Sequence, residues 1–293
     1  MSTAIRKPRI ALMGEFSSGK STLSNLLLGS RPLPEKVTAT RLSPVWMAHG
    51  TQPGYRIDVD GTEAPIDLNH LETIDVDATR VIRLFFEAEV LEVCDLIDFP
   101  GISDPNMDSE VWERVLVDAD AVIWLTHATQ AWRQSEMAVW DTVPPEVQDK
   151  SILLVTRFDK LTNDRDKGRV MARLQHETHG LFDKIFPISL TEAVQGQNDF
   201  EKWDASGAEA FTTHLTQLIA DLSGVKAPAP EKTARPGRPD PVSAEAAAPA
   251  AAVETAAPVT PRRVRPQSTT ARPDASPARA PRHHQVVFGQ SQQ

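Results

Sequence analysis

Only one cysteine, Cys94, occurs in the 293 residues. No intramolecular disulfide can form, which excludes an oxidised extracellular scaffold and favours a cytoplasmic address. A lone thiol in such a chain is expected to be buried and inert. No run of about 18 apolar residues is present, so a membrane-spanning helix of ordinary length is excluded. Met1 to Phe16 carries Arg6, Lys7 and Arg9, but the only apolar stretch there is Ile10 to Met13, too short for a secretory signal. No set of His, Ser and Asp suggests acyl transfer. His176 and His179, with Glu177 between them, lack the further ligands of a tetrahedral zinc shell. There is no internal repeat.

What is present is unevenly spread. Lys and Arg number 31 against 40 Asp and Glu, a formal net charge of −9, with 40% hydrophobic residues, enough for one sizeable core. Val225 to Gln293 holds 12 of the 23 prolines, 10 basic and 5 acidic residues, much alanine, a single Phe and no Trp. Such a segment cannot bury enough apolar surface to offset its chain entropy, so residues 225–293 read as a disordered Pro/Ala/Arg-rich tail. The remainder, 1–224, keeps 21 basic and 35 acidic residues, so a folded part near −14 precedes a tail near +5. Arg262, Arg263, Arg265, Arg272, Arg279 and Arg282 offer the tail to an anionic surface or to the acidic domain itself, with a plain spacer as the alternative. A structureless basic tail on an acidic body lacks the folded basic domain of an RNA-binding GTPase, and no nucleic acid is expected as a partner.

Within 1–224 short apolar runs alternate with helical periodicity. Strands are expected at Arg9–Met13, Gly50–Val59, Ala121–Thr126, Ile152–Thr156 and Ile185–Ser189, and a hairpin from Val81–Phe86 with Leu91–Ile97. Helices are expected at Ser21–Leu28, closed by Gly29, and at Ser109–Ala119, Arg133–Thr142, Arg165–His179 and Ala208–Leu222. This alternation predicts an α/β fold of the P-loop NTPase type, a mostly parallel sheet with helices on both faces. Trp112, Trp124, Trp132 and Trp140 are read mainly as core.

The first strand-to-helix turn carries the chemistry. Gly14-Glu15-Phe16-Ser17-Ser18-Gly19-Lys20-Ser21 fits G-x-x-x-x-G-K-[ST] between a buried strand and an amphipathic helix. Glycines let successive N–H groups curl around one anion, and the new helix adds its positive end. Lys20 is placed to reach the β- and γ-phosphates and Ser21 to offer a hydroxyl to Mg²⁺, while Ser18, Gly19 and Thr22 complete the phosphate cradle. Asp98-Phe99-Pro100-Gly101 ends a later strand, where Asp98 can hold the metal through water and Gly101 can approach the γ-phosphate. Thr156-Arg157-Phe158-Asp159 ends another, and the Asp159 carboxylate can accept from both N1 and the exocyclic amine of guanine, a donor pair adenine lacks. Pro187-Ile188-Ser189 ends the next strand and would bring a backbone N–H to the guanine carbonyl. The order of these elements selects GTP.

Gly14 to Gly29, with Leu33-Pro34, Thr38-Ala39-Thr40-Arg41, Pro44, Asp98 to Ile102 and Thr156 to Asp159, resembles the GTPase domain of the dynamin superfamily, especially its bacterial members. Ala119 to Val122, Gln130 and Ser135-Glu136 are similar to that family's next strand and helix. The resemblance covers most of 1–224 and implies Mg²⁺-dependent GTP hydrolysis. It implies a switch threonine at Thr40, with Thr38 as rival, offering its hydroxyl to Mg²⁺ and its carbonyl to the attacking water. It also implies that Ser17 offsets charge between the β- and γ-phosphates. Three residues depart from the wider pattern: Phe16 stands where eukaryotic dynamins have a glutamine, Ile102 where Ras-type GTPases have one, and Arg157 where Lys is usual. The long helical stalk of dynamin-like mechanoenzymes is not expected after Gly224. The expected partners are therefore a second GTPase domain, in a homodimer or with a larger dynamin-like protein, and the inner face of the membrane through the tail. His127 and Gln130 are further candidates for partner contact. The alternative is a nucleotide-gated binding module with little intrinsic hydrolysis.

Overall fold

In the computed structural model, residues 6–29, 42–68, 70–102 and 109–224 are described. The expected switch threonines, Thr38 and Thr40, and the expected tail, 225–293, lie outside them.

The elements follow in chain order as β1 (Arg9–Gly14), α1 (Lys20–Leu28), β2 (Val45–His49), β3 (Tyr55–Asp58), β4 (Glu63–Pro65), β5 (Thr79–Phe86), α2 (Glu89–Val93) and β6 (Asp95–Asp98). After these come α3 (Glu110–Leu116), β7 (Ala121–His127), α4 (Gln134–Trp140), α5 (Pro145–Gln148), β8 (Ile152–Thr156), α6 (Asp164–Glu177) and β9 (Lys184–Pro187). The described part ends with α7 (Leu190–Gly196), α8 (Phe200–Ala205) and α9 (Ala208–Ser223). The nine strands form one sheet in the order β4-β3-β5-β2-β6-β1-β7-β8-β9. The run β6-β1-β7-β8-β9 is entirely parallel. β2 joins it antiparallel to β6 and carries β5 parallel to itself, while β3 and β4 extend the edge antiparallel.

Period two in the central strands explains why both faces are covered. Ile10 and Leu12, Ile123 and Leu125, and Ile152 and Leu154 point into one apolar layer with Leu23 of α1, Leu91 of α2 and Phe211, Leu215 and Ile219 of α9. Their neighbours Ala11 and Met13, Val122 and Trp124, and Leu153 and Val155 enter the opposite layer with Trp112 and Val115 of α3, Trp140 of α4 and Leu174 of α6. Strands buried on both sides read as continuous apolar runs. That second layer is aromatic: Trp140 stacks on Phe182 at 4.1 Å and meets Trp124 edge-on at 5.4 Å. All four tryptophans read as core are at least 93% buried. Cys94 is fully buried, and burial pushes its thiol up to about 12, the inert state expected.

Two expectations are corrected. Val81–Phe86 and Leu91–Ile97 do not form a hairpin, because β2 lies between β5 and β6 and bonds to both. The first half of the second segment is instead the helical turn α2, with Leu91 buried and Val93 exposed. Gly50–Val59 supplies only the four-residue β3. Unforeseen β2 is held by Trp46, whose ring lies between the guanidinium groups of Arg9 and Arg83 at 4.5 and 4.1 Å and whose Nε1 donates to Asp95 at 2.8 Å.

Trp140→Ala should lower the unfolding free energy by about 3–5 kcal/mol, the usual range for deleting a buried tryptophan. Urea denaturation measures it, and a loss below about 1 kcal/mol would contradict the core role assigned to this cluster.

Candidate functional site

All the sequence-selected elements that are described lie at the carboxyl ends of the parallel strands, where open α/β sheets form their crevices. β1 ends at Gly14, whose φ of +147° and contact with the Leu125 carbonyl leave no room for a side chain. The chain then turns through Ser17, itself left-handed with φ of 60°, to a left-handed Gly19 and enters α1. No side chain caps that helix and no acidic residue stands in its first turn, so its free N–H groups and dipole face the loop uncompensated. An anion is the natural occupant of such a start.

Lys20 is 9% exposed, and its ammonium donates to the carbonyls of Gly14 at 2.8 Å and Glu15 at 3.0 Å. Desolvation lowers it to about 8 despite the opposing pull of Asp98 and Glu15. Asp98 ends β6 beside β1. Desolvation raises its carboxyl to about 6, against the effect of Lys20 and a hydrogen bond from Ser24 Oγ at 3.4 Å. Asp98 Oδ1 is buried with no hydrogen-bond partner in the structure. An orphaned carboxylate oxygen next to a helix start with the partly exposed hydroxyl of Ser21 is a donor set that fits a hard divalent ion such as Mg²⁺. Gly101 lies against the loop: a Cβ there would sit 3.0 Å from the Phe16 nitrogen, so only glycine fits without displacing backbone. Ile102 N donates to the Gly14 carbonyl at 3.3 Å.

The β8 end is tied to the same loop. The Thr156 hydroxyl, fully buried, donates to the Ser18 carbonyl at 2.7 Å and lies 3.2 Å from that of Thr126. The Thr156 hydroxyl therefore holds the loop. Arg157, left-handed at φ 53°, donates from Nη2 to the Ser17 carbonyl at 2.9 Å. Asp159 forms an ion pair with Lys160 at 2.9 Å and accepts from the Ser189 hydroxyl; burial pushes its carboxyl up, but these partners outweigh it and hold it below the usual carboxylate range. The Ser189 N–H donates to the Ser206 carbonyl at 2.9 Å. Its Oγ reaches Asp159 and also caps α7 by accepting from Glu192 N. Thr22 is exposed on the first turn of α1, and Ser18 is buried with its Oγ unpartnered.

Beside the loop opens a cleft of about 290 Å³ lined by Glu15, Phe16, Ser17, Ser18, His127 and Arg133, with Gln130, Glu136 and Arg157. His127 Nδ1 accepts from Thr129 N at 3.2 Å, capping its own turn; burial, with Arg157 and Arg133 nearby, depresses its pKa. Glu15, Arg133 and Glu136 were not singled out as site residues. The Ser135-Glu136 pair was visible only as a likeness to a family helix.

A glycine-rich loop between the first strand and first helix of a mostly parallel sheet, with a buried lysine beside a strand-end aspartate, defines a P-loop NTPase. The dynamin family model matches residues 10–157, half of the chain, and the chain belongs to that family, of which this is the GTPase domain. It is 26% identical over 215 residues to dynamin-like protein 2 of Campylobacter jejuni, covering 71% of this chain and 34% of that one. It is 32% identical over 125 residues to the isoniazid-induced protein IniC of Mycobacterium tuberculosis, covering 39% and 25%. The fold matches a solved bacterial dynamin from an oligomerised pair, described as sensing and tethering membranes over long range, with a TM-score of 0.55, 21% identity and 74% and 36% coverage. The chain thus spans about a third or less of the length of these relatives.

Burial pushes the Asp98 carboxyl up to about 6 in the folded protein, from 3.8 ordinarily. Between about pH 4 and pH 6 the folded state keeps a proton the unfolded state has lost, so this group makes stability fall as pH rises. Lys20, at about 8 against 10.5, makes stability rise with pH above about 8. Asp98→Asn should therefore flatten the decline between about pH 4 and pH 6 in urea midpoints. An unchanged slope would show that Asp98 is not the buried acid it appears in the structure.

Proposed function

We propose that this domain binds GTP and hydrolyses it to GDP and phosphate with Mg²⁺, and that its catalytic site is completed by a second GTPase domain, in a homodimer or with a larger dynamin-like protein. The observation that carries the reading is the convergence of the loop around Lys20, the orphaned Asp98 oxygen and the Asp159–Ser189 pair at the ends of neighbouring parallel strands. Charge that develops on phosphate oxygens in the transition state calls for donors fixed in advance. The backbone around Gly14, Ser18 and Gly19, the N–H groups of α1 and the Lys20 ammonium would supply them, and Ser17 would offset charge between the β- and γ-phosphates. Lys20 already holds two carbonyl acceptors, so phosphate exchanges one set of oxygens for another and meets no naked buried charge. Ser21 and Asp98, with Thr40, would hold Mg²⁺, which neutralises phosphate charge when bound. Gly101 would approach the γ-phosphate, Asp159 would accept from guanine, and the Arg157 guanidinium would cover the base plane while steadying Ser17.

Pairing through the nucleotide face is supported by Phe16, which stands on the loop with 79% of its surface exposed. An aromatic at a phosphate site does not orient water, and neither does Ile102. A group from a facing molecule meets both needs, covering the ring and positioning the water. The solved relative described as an oligomerised bacterial dynamin pair that tethers membranes makes such an assembly, and a peripheral site at the cytoplasmic face, reasonable for this chain. No helix among the described residues is long and apolar enough to cross a membrane. The basic tail, 225–293, beyond the GTPase domain of 1–224, would make that contact. The same two side chains also favour the alternative, a GTP-gated binding module that hydrolyses slowly.

GTP turnover across a protein-concentration series separates the two: specific activity that rises with concentration supports completion by pairing, and flat, near-zero turnover with tight binding supports the module. Lys20→Ala should weaken GTP binding by at least about 100-fold, because the loop loses its main counter-charge to phosphate. Unchanged affinity would end the assignment of this loop to phosphate. Asp159→Asn replaces one of two acceptors with a donor. It should cost GTP about 100-fold in affinity and favour xanthosine triphosphate, which has an oxygen where guanine has its amine. Equal loss of both nucleotides in a titration would show that Asp159 does not read the base.

A further inference from the structure

The phosphate loop is braced from the side as well as from below. Glu136, 2% exposed in the first turn of α4, accepts from Trp124 Nε1 at 3.1 Å, Thr126 Oγ1 at 3.0 Å and Arg133 N at 2.9 Å. Thr126 Oγ1 in turn accepts from Trp132 N at 3.0 Å, and Arg173 of α6 donates to the Ala131 carbonyl at 2.6 Å. Every residue of the turn from Ala131 to Arg133 thus has a backbone group tied to a strand or a helix. From this anchored turn two side chains reach across the cleft to one carboxylate. Arg133 Nη1 donates to Glu15 Oε2 at 2.9 Å and Ser135 Oγ to Glu15 Oε1 at 2.7 Å. Two donors on different oxygens fix the carboxylate in plane and in rotation. Glu15 is the second residue of the phosphate loop, and its carbonyl is one of the two acceptors that hold Lys20. It also accepts from Ser18 N at 3.2 Å.

Among the described residues the three non-glycine positions with positive φ are Ser17, Trp132 and Arg157. Each belongs to one of the three segments that meet at this cleft. Such conformations persist only where surrounding contacts over-determine them. Here those contacts are the Arg157–Ser17 bond, the Thr126–Trp132 bond and the Arg133–Glu15 pair.

We propose that Glu136, Arg133 and Glu15 form a strut that sets the position of the phosphate loop for phosphoryl transfer, with Arg133 and Glu15 as positioning residues. The strut deepens the GTPase reading and rests on it. Two magnitudes separate this role from ordinary stabilisation. The Arg133 side chain is 45% exposed and that of Glu15 15%, so water screens the arginine end and can take its place on the carboxylate, which keeps the cost to folding small. A displacement of about 1 Å at groups that position a reacting phosphate costs about 100-fold in rate.

The experiment uses the full chain as Arg133→Ala, Arg133→Lys, Glu15→Gln and the Arg133→Ala/Glu15→Gln double variant. Amide exchange of residues 15–19 is followed without nucleotide, beside urea midpoints and the kcat and KM for GTP. Urea midpoints should stay at the parent value. Exchange at 15–19 should rise by about fivefold or more in each single substitution to Ala or Gln and no further in the double. Turnover should fall about tenfold or more with KM changed less than about threefold, and Arg133→Lys should recover part of it. Unchanged exchange overturns the strut, as do additive losses in the double variant or a kcat equal to the parent's. A fall in urea midpoint that tracks the loss of turnover assigns the contact to stability and overturns it too. A parent chain that binds no GTP defeats the GTPase reading, and the exchange measurement, which needs no nucleotide, still decides whether the strut exists.

Discussion

A lysine with only 9% of its surface exposed, at the first position of α1, imposes the arrangement around it. Water cannot solvate it, so the protein must bring oxygen acceptors to it and hold them there. Two of these are backbone carbonyls of the loop that precedes it, and the third influence is the Asp98 carboxylate one strand away. The loop must curl tightly to present those carbonyls, which is why Gly14 is left-handed and pressed against β7 and why Gly101 touches the Phe16 backbone. Desolvation acts on both charges of the Lys20–Asp98 pair, weakening the acid and the base alike. A polyphosphate with a divalent ion would relieve both at once, since phosphate adds acceptors near Lys20 and the cation meets the orphaned Asp98 oxygen.

Loops of this shape do not hold themselves. The bonds that hold this one come from segments that follow the neighbouring strands, and between them they engage Gly14, Glu15, Ser17 and Ser18. Thr156 takes Ser18, Arg157 takes Ser17, Arg133 and Ser135 take Glu15, and Ile102 takes Gly14. Parallel strand order makes this possible. β6, β1, β7 and β8 are adjacent and point the same way, so segments far apart in sequence leave the sheet at one edge. The loop that precedes α1 and the segment that carries Asp159 are thereby mechanically connected through the Arg157–Ser17 bond.

Much of this was legible in the sequence because two signals coincide there. Long apolar runs such as Ile152–Thr156 are strands wherever both faces are buried, and residues at their ends carry the motif chemistry, so Lys20, Asp98 and Asp159 could be placed without a structure. Val45–Ala48 was missed because a four-residue apolar run ending in alanine, between Pro44 and Gly50, is too short to be told from a connecting segment. The Leu91–Ile97 segment misled because its apolar residues suit either a strand or a helical turn, and only Leu91 packing inward under α1 decides between them. At the site, hydroxyl direction is what sequence does not carry. The Thr156 hydroxyl points down to the Ser18 carbonyl and the Ser189 N–H is taken by Ser206, directions that residue type alone does not encode. Glu15 and Arg133 escaped notice because they are 118 residues apart and neither matches a motif position with a known task.

Phe16 shows the opposite tension between fold and function. Burying an aromatic ring is worth about 1.5–3 kcal/mol, and this chain leaves one 79% exposed on the loop where phosphate would sit. The loop cannot turn it inward, because the backbone of Phe16 is packed against Gly101 and the residues before and after it are held by Arg133 and Arg157. Exposure is therefore set by the same contacts that shape the phosphate site. A ring held at the mouth of a cleft lined by Arg133 and Arg157 sets an apolar surface beside two guanidinium groups, so the contacts that shape the loop also give the cleft its mixed apolar and basic rim.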